Sequence, residues 1–224
     1  MCEVPVFLAT TEGQTRRIAE RFAERVREHG FDAQAIQIDS RESRDINWDR
    51  VRGVCLGASI HVQKHQPGAV TFARAHAREL SSRPSVFISV SLAAASKNPD
   101  EVIAARRLAE TVGTTTGWRP QHTASVAGRL AYTQYGWLVR FFMRRIARKE
   151  GASGDTSRDH EYTDWAQVDG LADTLVGEIR GIEQRLPQAL GLTDRAARRA
   201  ASTRIARRQE RSLRASDNHP THVA

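Results

Sequence analysis

Residues 4–15 read VPVFLATTEGQT, an apolar run that gives way at once to threonines, a glycine and a glutamine. Val4–Ala9 has the length of a strand buried on both faces. Helical spacing follows directly. Ile18, Phe22 and Val26 recur every four residues over Thr15–His29, with Ala19 and Ala23 beside them, and Gly30 stands where a C′ residue ends a helix. The junction between strand and helix has two uses. Its residues can cap the helix, or their amides and hydroxyls can converge on an anion at the helix's positive end. The stretch alone leaves both open.

The same alternation continues along the chain. Strands are expected over Phe31–Ile38, in NWDRVRGVCLGASI centred on Val51–Gly57, in RPSVFISVSL, and in TASVAGRL; helices are expected over Pro67–Leu80, over Pro99–Thr115, and from Thr163 or Asp164 to about Gln184. Alternating strands and helices build a parallel sheet covered on both faces. Five such strands favour an α/β flavodoxin-like five-stranded parallel sheet in the order 2-1-3-4-5. Ligands of such sheets sit beyond the carboxyl ends of the strands. Segments 9–15, 57–66 and 91–98 meet that edge.

The pattern divides into a domain over 1–184, interrupted by an excursion over 130–162 before the last helix, and a basic Arg/Ala-rich extension over 185–224. The extension reads as a disordered arm or as a basic helix on an anionic membrane surface. It also explains the charge. From Gln184 to the end, nine arginines stand against three acids and carry +6 of the chain's +8, leaving +2 for residues 1–183. A basic folded face for nucleic acid is therefore not expected. Only three of the 34 basic residues are lysines, a bias that genome composition can produce without any chemistry. The 40% hydrophobic content suffices for a core. No apolar run reaches the roughly 18 residues of a spanning helix, and the N-terminus has no signal-peptide pattern. Cys2 and Cys55 form neither a disulfide framework nor a metal spacing, so a cytoplasmic setting is expected, with membrane association on that side left open.

In TTEGQT, Thr10, Thr11 and Thr15 can donate hydroxyls to a phosphate, and Gly13 admits close approach or positive φ. Neither GxxxxGK[ST] nor GxGxxG is present. The loop matches the flavodoxin pattern [ST]-x-T-G-x-T, with Glu12 in place of the central threonine. Beyond the loop, TTEGQTRRIA, GASI, RPSVFISVSLAA, GWRP, VAGRLAY and YTDWAQV follow in the order found in the bacterial menaquinone-dependent protoporphyrinogen oxidases. Over about residues 3–182 the chain resembles that family.

The resemblance implies FMN as cofactor, a porphyrinogen as substrate and a quinone as electron acceptor, in heme biosynthesis. By position it places Thr10, Thr11, Glu12, Gly13, Gln14 and Thr15 around the FMN phosphate. Gly57, Ala58, Ser59 and Ile60 would line the ribityl chain and ring, with Ser89, Val90, Ser91, Leu92, Ala93 and Ala94, and with Ala127, Gly128, Arg129 and Leu130. Two departures stand out. His61 and Val62 occupy positions where the family tends to carry arginine and tyrosine, and SLAAASKNPD has no aromatic to stack on the ring.

The excursion contains YGWLVRFFMRRIARK, where Trp137, Leu138, Phe141, Phe142 and Ile146 share one helical stripe and Arg140, Arg144 and Arg148 another. Such a helix can lie on a membrane surface, dock on its own domain, or offer arginines to the propionates of a tetrapyrrole. His61 after GASI, and Tyr132, Tyr135, Trp137, Arg140 and Arg144 of the excursion, are the substrate or membrane candidates. Other constellations carry less. His61 and His65 are four apart with no third ligand, and Ser89 and Ser91 have no nucleophile elbow. Asp164 and Gln167 have the spacing of a capping box, with Trp165 packed on the core. Three functions compete: quinone-dependent porphyrinogen oxidation; another flavodoxin-like carrier or quinone reductase; and a binding protein of this fold without FMN.

Overall fold

The computed structural model describes residues 2–10, 13–61, 63–130 and 160–189. Thr11, Glu12, Tyr132, Tyr135, Trp137, Arg140 and Arg144, with the rest of 131–159 and the tail from 190, lie outside the described residues.

β1 (Val4–Ala9) is buried along its whole length and leads through Gly13 into α1 (Gln14–Glu28). The four-residue spacing read from the sequence becomes a buried stripe of Ile18, Phe22 and Val26, and Gly30 takes φ 90° beyond the helix end. β2 (Ala33–Gln37) and α2 (Arg41–Arg44) follow, then a 3-10 turn at Trp48–Arg50. β3 (Val54–His61) folds back into β4 (Lys64–His65), ahead of α3 (Pro67–Ala75) and α4 (Ala77–Ser81). β5 (Ser85–Ser91), a 3-10 turn at Leu92–Ala95, α5 (Pro99–Glu110), α6 (Val112–Thr116) and β6 (His122–Ala127) come next. A short pair, β7 (Arg129–Leu130) and β8 (His160–Glu161), precedes α7 (Trp165–Ala189).

The long strands are parallel in the order β2-β1-β3-β5-β6. Leu8 lies opposite Gly57, Gly57 opposite Ile88, and Ile88 opposite Ala124. The expected order 2-1-3-4-5 differs in its numbers because β4, an antiparallel return on β3, was not foreseen. No Asn-Gly or Asp-Gly announces that hairpin; Gln63 takes the left-handed φ of 60° instead.

Two cores flank the sheet. Val4, Val6, Leu8, Cys55, Val86 and Ile88 pack with Phe22 of α1 and with Val168, Leu175 and Ile179 of α7. Phe7, Leu56 and Phe87 pack on the other side with Phe72, Leu80 and Trp118. Each such buried side chain contributes roughly 1.5–3 kcal/mol. Two expected helices are broken. Pro67–Leu80 interrupts at His76, whose ring packs on Phe72 and Trp48. Pro99–Thr115 interrupts at Thr111, whose hydroxyl donates back to the Leu108 carbonyl at 2.7 Å and competes with the helical ladder.

α1 and α7 are joined by charged rungs at four-residue intervals. The Arg17 guanidinium stands 5.7 Å from the Trp165 ring centre. Arg21 donates twice to Asp169 (2.8 and 2.6 Å), and Arg25 twice to Asp173 (2.7 and 3.0 Å), with the His29 imidazole also 2.7 Å from Asp173. The chain divides into two compact units, Met1–Ile179 and Arg180–Ala224; of the second, the described part is the end of α7.

Candidate functional site

The carboxyl ends of β1, β3, β5 and β6 share one edge, and the first turn of α1 begins beside it. Gly13 is the N-cap residue at φ 80°, a left-handed conformation that glycine takes without strain. Among the described residues no side chain caps the helix, and no acid stands in its first turn. The helical ladder opens with Arg17 N–H donating to the Gly13 carbonyl at 3.1 Å. The amides of Gln14, Thr15 and Arg16 therefore have no acceptor within the helix. Thr15 is buried, and its methyl leans over Gly57 of β3, where a Cβ would stand only 3.2 Å away. The missing side chain at Gly57 lets the turn settle onto the strand end. Amides without helical acceptors, a threonine and a positive helix end make a donor set suited to phosphate.

The neighbouring strand ends are built from small, internally satisfied residues. Ser59 accepts a hydrogen bond from Gln66 Nε2 at 3.0 Å. Ser89, fully buried, lies 2.9 Å from His65 Nε2, and the His65 ring meets Phe87 edge-on. Burial pushes the His65 imidazole below its ordinary pKa, favouring the neutral form. Ser91 caps the following 3-10 turn through Ala94 N–H at 3.3 Å, and its carbonyl receives Gly128 N–H at 3.1 Å. Leu92, Ala93 and Ala94 are half-buried along that rim.

Among the expected residues, Thr10, Gly13, Gln14, Thr15, Gly57–Ile60, Ser89–Ala94 and Ala127–Leu130 converge on this edge. Gln14 has an unexpected role: its Nε2 donates to Glu161 Oε1 (3.0 Å) and Thr163 Oγ1 (2.8 Å), so only its amide is left to face an anion. Thr163 Oγ1 in turn donates to the Ala127 carbonyl at 2.9 Å, tying the start of α1 to the end of β6. Sequence reasoning missed Glu161, Thr163, His65 and Gln66 in these positions. DHE at 159–161 reads as a solvated loop, and only tertiary pairing reveals Glu161 as a partner of Gln14. The capping-box reading is half realised. Asp164 accepts Gln167 N–H at 3.1 Å, whereas the Gln167 side chain reaches the Ser125 carbonyl at 3.4 Å; Trp165 packs against the core.

The fold and this edge define a flavodoxin domain, and the family model of that description matches residues 6–157. A protein of Escherichia coli K12 named protoporphyrinogen IX dehydrogenase (quinone) is 33% identical over 170 residues, covering 75% of this chain and 91% of its own. A Leishmania major protein of the same name is 27% identical over 170 residues, covering 71% of this chain and 68% of its own. An archaeal flavodoxin structure aligns over 79% of this chain and 98% of its own at 12% identity, with a TM-score of 0.44. The chain belongs to the flavodoxin-domain family of these quinone-type protoporphyrinogen IX dehydrogenases. A flavodoxin domain implies a flavin cofactor, and the donor set at the first turn of α1 fits the anionic end of one. Among the described residues, no helix is long and apolar enough to cross a membrane.

Proposed function

We propose that this chain is an FMN enzyme that oxidises protoporphyrinogen IX, or a related porphyrinogen, to the porphyrin and delivers the electrons to a quinone. The observation that carries the reading is the seat at the start of α1. Three amides without helical acceptors and the buried Thr15 lie over a strand end that has no Cβ at Gly57. The likeness to proteins named for this reaction supports the choice of substrate.

Gly13 and the amides of Gln14–Arg16 would hold the phosphate, with hydroxyls from Thr10 and Thr15. Gly57–Ile60, Ser89–Ala94 and Ala127–Leu130 would line the ribityl chain and the ring. When bound, FMN supplies the two-electron chemistry that joins porphyrinogen oxidation to quinone reduction. The chain's own part is positional. Ser59, Ser89 and Ser91 are already hydrogen-bonded within the protein, so the strand ends that would line the flavin are set before substrate arrives. The amphipathic helix expected within residues 135–149 would meet an anionic membrane surface or the propionates of the substrate.

Anaerobic incubation of the flavin-loaded protein with protoporphyrinogen and menaquinone tests the proposal through porphyrin fluorescence. A rise above a flavin-free control is expected. No rise would reassign the protein as a carrier or as a reductase of other substrates. Protein that purifies colourless and releases no FMN on denaturation would remove both readings. Sedimentation with anionic liposomes, with and without residues 130–150, tests the membrane contact.

A further inference from the structure

Arg17 and Glu161 pair at 3.0 Å, and both are tied to the first turn of α1. Glu161 Oε1 accepts from Gln14 Nε2 at 3.0 Å, and Gln14 is the first residue of the helix. A carboxylate is thus joined through one side chain to the turn whose amides have no acceptor within the helix. Arg17 is held on three sides: by Glu161, by Gln14 Oε1 at 3.4 Å, and by the face of Trp165. The anchorage of β8 to α1 therefore brings a negative charge toward the place where a phosphate dianion is expected. Uncompensated, that charge would oppose the dianion; beside Arg17 the two sum to zero.

Resting on the reading of that turn as the phosphate seat, we infer that Arg17 and Glu161 form a compensated pair that sets affinity for the phosphate end of the flavin. They are positioning residues, and neither needs to touch the flavin. Glu161 holds the return strand against α1, and Arg17 cancels the repulsion this creates. The pair is partly exposed, at 48% and 32% of the side-chain surface, so the effect is screened by salt.

The test is a fluorescence titration of flavin-free, full-length protein with FMN and with riboflavin, which lacks the phosphate. Arg17→Ala should weaken FMN binding about five- to tenfold at low salt, and less as salt rises. Glu161→Gln should tighten FMN binding by a similar factor. The double variant should return close to wild type, and riboflavin affinity should hold throughout. Equal losses for both flavins, or an Arg17→Ala defect that Glu161→Gln does not relieve, would overturn the inference. Melting temperatures of the variants separate misfolding from lost affinity. Wild-type protein that binds FMN no more tightly than riboflavin would remove the phosphate seat itself. An FMN preference that Arg17→Ala leaves undiminished at low salt would refute only the pair.

Discussion

Gly57 is the position where the site can be disturbed with the least ambiguity. Its backbone is not in the left-handed region, so a side chain there meets a problem of space and not of φ. A Cβ would lie 3.2 Å from the Thr15 methyl, closer than ordinary van der Waals contact, and Thr15 is only 1% exposed. Alanine asks the first turn of α1 to retreat by a few tenths of an ångström. Valine adds two further methyls in the same gap, and overpacking of this kind costs about 1–3 kcal/mol. The retreat carries the amides of Gln14, Thr15 and Arg16 away from the strand end. FMN dissociation constants should therefore rise in the order glycine, alanine, valine, by about tenfold or more for Gly57→Val if roughly 1.4 kcal/mol of the strain falls on the bound state. Flavin fluorescence quenching measures the affinity, and thermal melting reports how much of the cost falls on the fold. A folded Gly57→Val protein with wild-type FMN affinity would refute the argument that this gap seats the phosphate turn.

Two further substitutions probe the scaffold. Arg25 and then His29 hold the Asp173 carboxyl at about 2 against an ordinary 3.8, so its stabilisation is complete above the unfolded value and is lost as pH falls toward 2. Allowing for solvent at a side chain 40% exposed, Asp173→Asn should cost about 1 kcal/mol near neutral pH, or some 2–4 °C in melting temperature; no loss at pH 7 would discount the rung. At His65, burial depresses the imidazole pKa. Its contribution is therefore fully present above the unfolded value near 6.5 and erodes as pH falls below it. His65→Leu should leave the Ser89 hydroxyl without its partner at a cost of about 1–3 kcal/mol and flatten that pH dependence, which denaturant unfolding at pH 5 and pH 7.5 would show. An unchanged slope would exclude His65 as its source.

What the sequence made legible was whatever depends on local periodicity. The run Val4–Ala9, the stripe Ile18–Phe22–Val26 and the cap at Asp164 can be read because strand and helix repeats, and the caps between them, are local properties. The edge of the sheet followed from alternation and from the rule that places ligands beyond the strand ends. What escaped were pairings set by tertiary structure. Gln14 belongs to a stretch whose residues resemble ligands, yet its side chain faces Thr163, 149 positions away. The β3–β4 return escaped because Gln63 adopts a left-handed φ that its residue type does not advertise. The His61–His65 spacing is visible in a sequence, whereas the Ser89 neighbour of His65 across the fold is not.

The rungs between α1 and α7 repeat every fourth residue on both helices, which makes them ambiguous as a ruler. Slide α7 by one turn in one direction, and Arg17 would meet Asp169 while Arg21 met Asp173. Slide it the other way, and Arg21 would meet Trp165, Arg25 Asp169 and His29 Asp173. The first slip keeps two such pairs and the second keeps three, so charge attraction alone chooses the alignment only weakly. The zero mark lies at the amino ends of the two helices, where Gln14 grips Thr163 and Thr163 grips the Ala127 carbonyl. The small polar junction that ties β6 to the start of α1 is also the origin from which the two helices count.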